Sequence, residues 1–526
     1  MPIDTPDWVR DAVFYQIFPD RFARSGRVPA PGPLEPWDEP PTSHGFKGGD
    51  LLGIVDRLPY LQELGVTALY LNPIFASASN HRYHTYDYLA VDPLLGGDAA
   101  LRELLDEAHA RGMRVILDGV FNHTGRGFWA FHHVLENGVA SPYREWFHYH
   151  PAALHGRRPF RPYPWHGDHD EWQGDHDEWP VDPAFEPTWD AKGDESFRRL
   201  GYRAWWGLPA LPKLNTDNPV VREYLMGAAE HWLRFGIDGW RLDVPMEIHT
   251  AGFWEEFRRR VRAVNPEAYI VGEIWHECHD WLAGDRFDAV MNYPLAFAIL
   301  GYAAQGHLDR VVAGHQHEYG RGTLVRDGEA MGRELERLMT LYDAAVTHVQ
   351  LNLLDSHDSP RFRSLAGQDA GAWRLATLLL ATLPGAPCLY YGDEVGIEGD
   401  HDPDCRRAFP WDEAGWDHAG LAWTKSVLAM RHAAPALRRG TFRTAGAAGA
   451  ALGFVRSGPE GALAIVAVNA SDGAAELGLL VPEAVGRRLT AVPLPGVEAQ
   501  PAVVGADGAL TVSVPARNGV VLLPRP

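Results

Sequence analysis

The sequence predicts an α/β protein: a closed (β/α)8 TIM barrel with a subdomain inserted after strand three and a C-terminal antiparallel β-sandwich. Three observations carry this. Apolar runs of strand length alternate with apolar stripes at helical spacing, the pattern of a parallel sheet with helices outside. The alternation halts for roughly ninety residues, far beyond an ordinary βα loop, and then resumes. After residue 438 it gives way to short alternating runs between Gly-containing turns such as Asp507-Gly508. These breaks divide the chain into barrel segments at 1–123 and 211–438, an insert at 124–210 and a β domain at 439–526.

Residues 12–18 form an apolar run stopped by Pro19, the first strand. Residues 24–45 are rich in Pro and Gly and form a loop. Ile54, Leu58 and Leu61 repeat at helical spacing, Gly65 closes that helix, and residues 66–71 supply strand two. Leu101, Leu104, Leu105 and Ala108 make the next stripe, Gly112 ends it, and residues 114–117 form a third strand that stops at Asp118. The insert is crowded with Trp, His, Pro, Asp and Gly. It holds a tandem repeat, GDHDEW at 167–172 and again at 174–179. His169 and His176, flanked by acids, read as part of a solvated loop or as metal ligands.

Alternation resumes after Asn218-Pro219, an N-cap followed by Pro at the first helical position. Val221, Tyr224, Leu225, Ala228 and Trp232 make the inward stripe, and residues 239–244 the next strand. A helix marked by Phe253, Phe257, Val261 and Val264 leads to a strand at 269–272 that ends at Glu273. Residues 287–291, 349–354 and 387–391 complete eight strands, and an amphipathic segment at 421–437 precedes the β domain. That domain carries no cluster of titratable residues, so its expected role is to pack against the barrel.

A chain of this length buries a large core. Its net charge, 48 − 69 = −21, argues against nucleic acid or an anionic membrane as a partner and suits a neutral substrate such as sugar. Flat rings can stack on sugar faces, and the chain has 19 Trp, 18 Tyr and 21 Phe to offer. Cys278, Cys388 and Cys405 form neither a disulfide framework nor a CxxC pair. The first residues show no basic region followed by an apolar one, and no uninterrupted apolar run reaches membrane length. The expected compartment is the cytoplasm.

Arg241 and Asp243 are two apart, so on a strand both leave the same face. Alone they read as a structural ion pair. Yet Asp118, Glu273, His357 and Asp358 also end strands, and Asn122 and His123 follow Asp118 closely. In a (β/α)8 barrel such positions converge on one mouth, where active sites gather. Several carboxylates, with no cysteine nucleophile, GxSxG, GxGxxG or HExxH, point to glycoside chemistry. Retaining cleavage needs a carboxylate nucleophile and a carboxylic acid about 5–5.5 Å apart. Arg241 is expected to keep Asp243 ionised, and the apolar flanks of Glu273 to suit it to proton donation.

With these residues the chain resembles the α-amylase superfamily, glycoside hydrolase family 13. The motifs that carry the resemblance are Asp118-Gly-Val-Phe-Asn-His123, Gly239-Trp-Arg-Leu-Asp-Val244 with Glu247, Gly272-Glu-Ile-Trp275 and Leu353-Leu-Asp-Ser-His-Asp358. It implies Asp243 as nucleophile, Glu273 as acid/base and Asp358 as transition-state stabiliser. Arg241, His123 and His357 would hold the sugar before the scissile bond and Tyr83 would stack on it. Asp118, Glu247, Trp275 and His276 complete the implied substrate-binding set. Leu211-Pro-Lys-Leu-Asn215, His276 and Gly399-Asp-His-Asp-Pro-Asp-Cys-Arg406 look like the cyclomaltodextrinase, neopullulanase, maltogenic amylase and maltodextrin glucosidase branch. Its members act on α-1,4 links of short or cyclic maltodextrins.

Three departures from the family stand out. Many members of that branch carry an N-terminal β domain that joins a partner subunit, whereas strand one here begins about a dozen residues in; the expectation is a monomer or weak homodimer. His84 stands where the family often has Asp. The calcium loop of some relatives is replaced by residues 25–29, although Gly48-Gly49-Asp50 remains, so no cofactor is required and calcium is a degraded option. Other readings on the same scaffold are a transglycosylase, glucanotransferase or isomerase. A non-catalytic sugar-binding barrel is opposed by the presence of all three carboxylates, and a metal-dependent hydrolase would centre on the His-rich insert.

Overall fold

The structure, a computed structural model, describes residues 3–30, 32–157, 159–163, 195–497 and 501–524. The GDHDEW repeat, with His169 and His176, lies outside the described residues. Strands β1 (Phe14–Ile17) and β2 (Ala68–Leu71) are followed by a hairpin, β3 (Phe75–Ser77) and β4 (Thr85–Val91). Then come β5 (Arg114–Gly119), β6 (Gly239–Leu242), β7 (Tyr269–Gly272), β8 (Ala289–Val290), β9 (Leu351–Asn352) and β10 (Ala386–Tyr390). All but the hairpin pair in parallel in the order β8-β7-β6-β5-β2-β1-β10-β9. A parallel bridge between Met291 and Leu351 joins the two ends and closes the barrel.

Local chemistry fixes the helices between strands. Asp50 caps the helix Leu51–Leu64 by accepting from Gly53 N, and Gly65, left-handed at φ 99°, ends it. Asn218 accepts from Val220 N to start Pro219–Phe235. In β6 the side chains alternate. Trp240 packs outward near Phe75 and Phe121, while Arg241 turns to the barrel axis. Gly239 is required there, since a Cβ would lie 2.2 Å from Tyr269 O on the neighbouring strand.

Two expected strands contract. The run at 349–354 keeps only Leu351–Asn352 as strand, because side-chain amides take over the lateral bonding. Gln350 Oε1 accepts from Val290 N at 2.9 Å, and Asn352 links Pro384 O at 2.8 Å with Asn292 Nδ2 at 2.9 Å. The hairpin at 75–91 was not expected, since polar residues 79–84 interrupt its apolar pattern. Nor were the helices between β8 and β9, which include Tyr293–Ala303, Arg310–His315 and Gly328–Met339.

After the helix His418–Ala433 the chain forms β11 (Thr441–Ala448), β12 (Ala451–Ser457), β13 (Leu463–Asn469), β14 (Ala475–Leu480), β15 (Leu489–Ala491), β16 (Pro501–Ala502), β17 (Ala509–Val514) and β18 (Asn518–Pro524). These make an antiparallel sheet ordered β11-β12-β13-β18-β15-β16 and a pair β14-β17. Tyr302 OH donates to Ala450 O at 2.7 Å, tying this part to the barrel helices. Among the described residues no helix is long and apolar enough to cross a membrane.

Glu394, just beyond β10, is fully buried and accepts from Tyr60 OH at 2.6 Å, Tyr15 OH at 2.8 Å and Gly392 N at 3.0 Å. Burial outweighs the hydroxyl donors and pushes its carboxyl from 4.5 up to about 7. The folded protein then holds a proton that the unfolded chain releases, so this stability is complete below pH 4.5 and lost as pH rises through about 7. The amount is on the order of 3 kcal/mol. Urea unfolding at pH 5 and pH 8 should show Glu394→Gln losing less stability across that interval than the native chain, by about that amount.

Candidate active site

The strand ends bring their charges together on one cation. Arg241 Nη1 donates to Asp118 Oδ1 and Oδ2 at 2.8 and 2.9 Å and to Asp243 Oδ1 at 3.1 Å. Its Nη2 stands 3.0 Å from Glu273 Oε2. The Arg241 and Asp118 side chains are fully buried, and those of Asp243 and Glu273 nearly so. One guanidinium thus faces three carboxylates, and it cannot neutralise them all.

This changes the expected ionisation of Asp243. Burial pushes its carboxyl well above the usual aspartate range; Arg241 opposes the shift, while Glu273, Asp118 and Asp358 add to it. Arg241 alone was expected to keep Asp243 charged; it does favour the charged form, but it is shared with Asp118 and Glu273 and the net direction is upward. Burial likewise raises Asp118 against the pull of Arg241. Asp243 Oδ2 is buried with no hydrogen-bond partner among the described residues.

Glu273 is gripped at both oxygens. Val244 N donates to Oε2 at 3.1 Å and Trp275 Nε1 to Oε1 at 3.0 Å. Trp275 lies flat on Tyr293, with ring centroids 3.6 Å apart and planes within 6°, so one indole face is already covered. Val244 is left-handed at φ 34°, ψ 51°, a strained conformation for a β-branched residue. That turn aims its N–H at Glu273.

A second chain of hydrogen bonds runs through Tyr83. Gln16 Nε2 can only donate, so at 2.8 Å from His357 Nδ1 it fixes Nδ1 as the acceptor and leaves the proton on Nε2. His357 Nε2 then reaches Tyr83 OH at 2.6 Å and Asp358 Oδ2 at 2.9 Å. Tyr83 OH donates to Asp118 Oδ2 at 2.8 Å and accepts from Asn72 Nδ2 at 3.1 Å. Arg406 Nη2 meets Asp358 Oδ1 at 3.2 Å, and its Nε donates to His357 O at 2.8 Å. Although burial opposes ionisation, His357, Arg406 and Arg241 hold Asp358 well below the usual carboxylate range.

At the rim, His123 is buried and stacks on Trp205 at 4.9 Å, and Trp205 stacks on Trp206, which is 80% exposed. Burial lowers the His123 imidazole to about 3, so it stays neutral, and its Nε2 has no hydrogen-bond partner among the described residues. Lys213 Nζ binds Asn122 Oδ1 at 2.8 Å and Glu247 O at 2.6 Å, with the half-exposed Glu247 carboxylate 3.5 Å away. His276 is exposed and lines a small crevice with Asn292, Tyr342 and Gln350. The sequence pattern did not single out Gln16, Asn72, Tyr293, Trp205 or Trp206, and it gave Arg406 only as the end of a branch motif, without a role. Gln16 and Asn72 end strands one and two, and that position was the available signal.

The Alpha-amylase family (Alpha amylase, catalytic domain) matches residues 16–434. A cyclomaltodextrinase of Bacillus sp is 42% identical over 447 residues, covering 84% of this chain and 70% of that protein. Neopullulanase 2 of Thermoactinomyces vulgaris is 41% identical, covering 84% of this chain and 66% of its own length. Among solved structures, Ttha1563 from Thermus thermophilus superposes with a TM-score of 0.86 at 44% identity, covering 98% of this chain and all of that one. The chain belongs to the α-amylase family. This family member is a glycoside hydrolase, and its relatives fall in the branch its motifs resemble.

Where relatives of this α-amylase-family chain can hold calcium, its donors are already used. Asp50 accepts from Gly53 N at 2.7 Å, Ser25 N at 2.9 Å and Ser25 Oγ at 3.0 Å, and the ammonium of Lys47 donates to Glu39 O at 2.6 Å. Calcium takes six to eight oxygen ligands, and the Asp50 carboxylate is here engaged by three donors of the chain. Removing the Tyr83 hydroxyl deprives Asp118 of a donor and His357 of a partner. Tyr83→Phe should lower kcat/KM on maltotriose by about 10- to 100-fold while leaving the thermal midpoint nearly unchanged, the scale of a hydrogen bond to a charged group.

Proposed function

We propose that the protein is a retaining α-glycosidase that hydrolyses α-1,4-glucosidic bonds of short linear or cyclic maltodextrins through a covalent glycosyl-enzyme intermediate. The observation that carries this reading is the single guanidinium of Arg241 shared by Asp118, Asp243 and Glu273. Two carboxylates tethered to one planar group favour the short retaining separation of about 5–5.5 Å over the wider inverting one. The names of two relatives, cyclomaltodextrinase and neopullulanase, support the substrate class.

In this mechanism Asp243 Oδ2 attacks the anomeric carbon as Glu273 passes its proton to the departing glycosidic oxygen. The C–O bond breaks, a sugar ester forms on Asp243, and Glu273 is left as carboxylate. It then takes a proton from water, whose oxygen attacks the same carbon from the face the leaving group left, restoring Asp243 with net retention. Asp358, held anionic by His357 and Arg406, opposes the positive charge of the oxocarbenium-like transition state. Tyr83 and the neutral His123 face the sugar, and no step needs a metal. The free, buried thiols of Cys278, Cys388 and Cys405 suit the reducing cytoplasm.

The test separates the two carboxylates. Asp243→Asn should lose activity on an activated α-glucoside by about 10³-fold or more, without recovery in azide. Glu273→Ala should keep forming the ester from the activated substrate and regain turnover in azide, giving an α-glucosyl azide. A β-configured azide, or an active Asp243→Asn, refutes the assignment. Because the Asp243 carboxyl is raised, its reactive anion is lost as pH falls. The acid limb of kcat/KM should therefore lie well above the ordinary aspartate value of 3.8.

A further inference from the structure

Away from the carboxylates, a second group of ligating side chains converges from two distant segments. His315 ends the helix Arg310–His315, and Asp400 and His401 lie in the loop after β10. His315 Nδ1 stands 2.9 and 2.8 Å from the two oxygens of Asp400, and His401 Nδ1 stands 3.5 Å from Asp400 Oδ1. One ligand atom from each of the three lies within 4.8 Å of the others. The imidazole rings are 5.5 Å apart and tilted by 57°, so they do not stack; both turn Nδ1 toward one carboxylate. Nitrogen and oxygen ligands on a four-coordinate zinc ion stand about 2.0–2.2 Å from it, which small rotations of these exposed side chains achieve. Two imidazoles and a carboxylate suit a borderline transition ion, whereas calcium and magnesium prefer an all-oxygen set.

We propose that His315, Asp400 and His401 form a divalent transition-metal site, of the zinc class, with water in the fourth position. Its place in the fold gives it a consequence. Asp400 N donates to Asp404 Oδ2 at 2.8 Å, Asp402 pairs with Arg406 at 2.8 Å, and Arg406 grips Asp358. A bound ion clamps the outer helix Arg310–His315 to the loop that carries Arg406, and so stiffens the support of the transition-state carboxylate.

The probe is Zn²⁺ itself, titrated into the full chain against a chromophoric chelator, with His315→Ala and His401→Ala beside the native protein. The native chain should bind one more equivalent than either variant. Zinc should slow amide exchange in residues 310–315 and 399–407 of the native chain together, and in neither variant. Histidines elsewhere, including His169 and His176, contribute equally to all three proteins and cancel. If an alanine variant does not fold, His→Gln at the same position replaces it, since a glutamine keeps the polar contact and is a poor zinc ligand. Equal stoichiometry in native and variant chains overturns the site. An extra equivalent that leaves both segments exchanging as before overturns the clamp.

Discussion

The site depends on one cation being outnumbered. Arg241 is fully enclosed, and its guanidinium touches Asp118, Asp243 and Glu273 at once. Burying a charge is costly unless it is paired, so the arginine requires its carboxylates. The carboxylates in turn exceed what it can neutralise. A cluster with more acids than cations retains a proton at a pH where free carboxylates hold none, and acid catalysis in a dry pocket needs that excess. The barrel makes it possible because adjacent parallel strands bring Asp118, Arg241 and Val271 into register, with Asp243 and Glu273 each a short step beyond.

Everything around that cluster orients it. Val244 stays in a strained left-handed turn so that its N–H reaches Glu273, and Trp275 is pinned flat on Tyr293 so that its N–H reaches the other oxygen. Gln16 sets the tautomer of His357, which sets the hydroxyl of Tyr83, which donates to Asp118. The two chains of contacts meet at Asp118 and Arg241. A change at the end of strand one therefore reaches the central carboxylates through three hydrogen bonds, although Gln16 touches none of them.

The barrel and the three central carboxylates were legible because both rest on short-range periodicity. Alternation at period two put Arg241 and Asp243 on one face, and strand–helix spacing put Glu273 and Asp358 at the ends of later strands, with β8 between them. What could not be read depends on partners far along the chain. Arg406 matters through Asp358, 48 residues away, and Tyr293 through the ring it stacks on. The upward direction of the Asp243 shift was not readable for the same reason: Arg241 lies two residues away in sequence, but Asp118, which claims the same guanidinium, lies 123 residues from that arginine. Strands β8 and β9 were overdrawn because Gln350 and Asn352 bond through side chains that a periodicity argument treats as passive.

Buried carboxylates elsewhere in the barrel show what a purely structural role looks like. Asp238, at the opposite end of β6, accepts from Val115 N at 2.8 Å and Arg114 at 2.7 Å and contacts His109 at 2.8 Å. Asp288, before β8, accepts from Ile270 N at 2.8 Å and from Arg258 and Arg262 at 2.7 Å each. Both oxygens of each are satisfied, and the strands they join are pinned. Asp243 differs in the one respect that matters: Oδ2 is buried with no protein partner among the described residues. An unsatisfied buried acceptor costs about 1–3 kcal/mol, which a strand-pinning carboxylate has no reason to bear. The cost makes sense for an oxygen whose partner is an incoming anomeric carbon, and this separates Asp243 from Asp238 and Asp288.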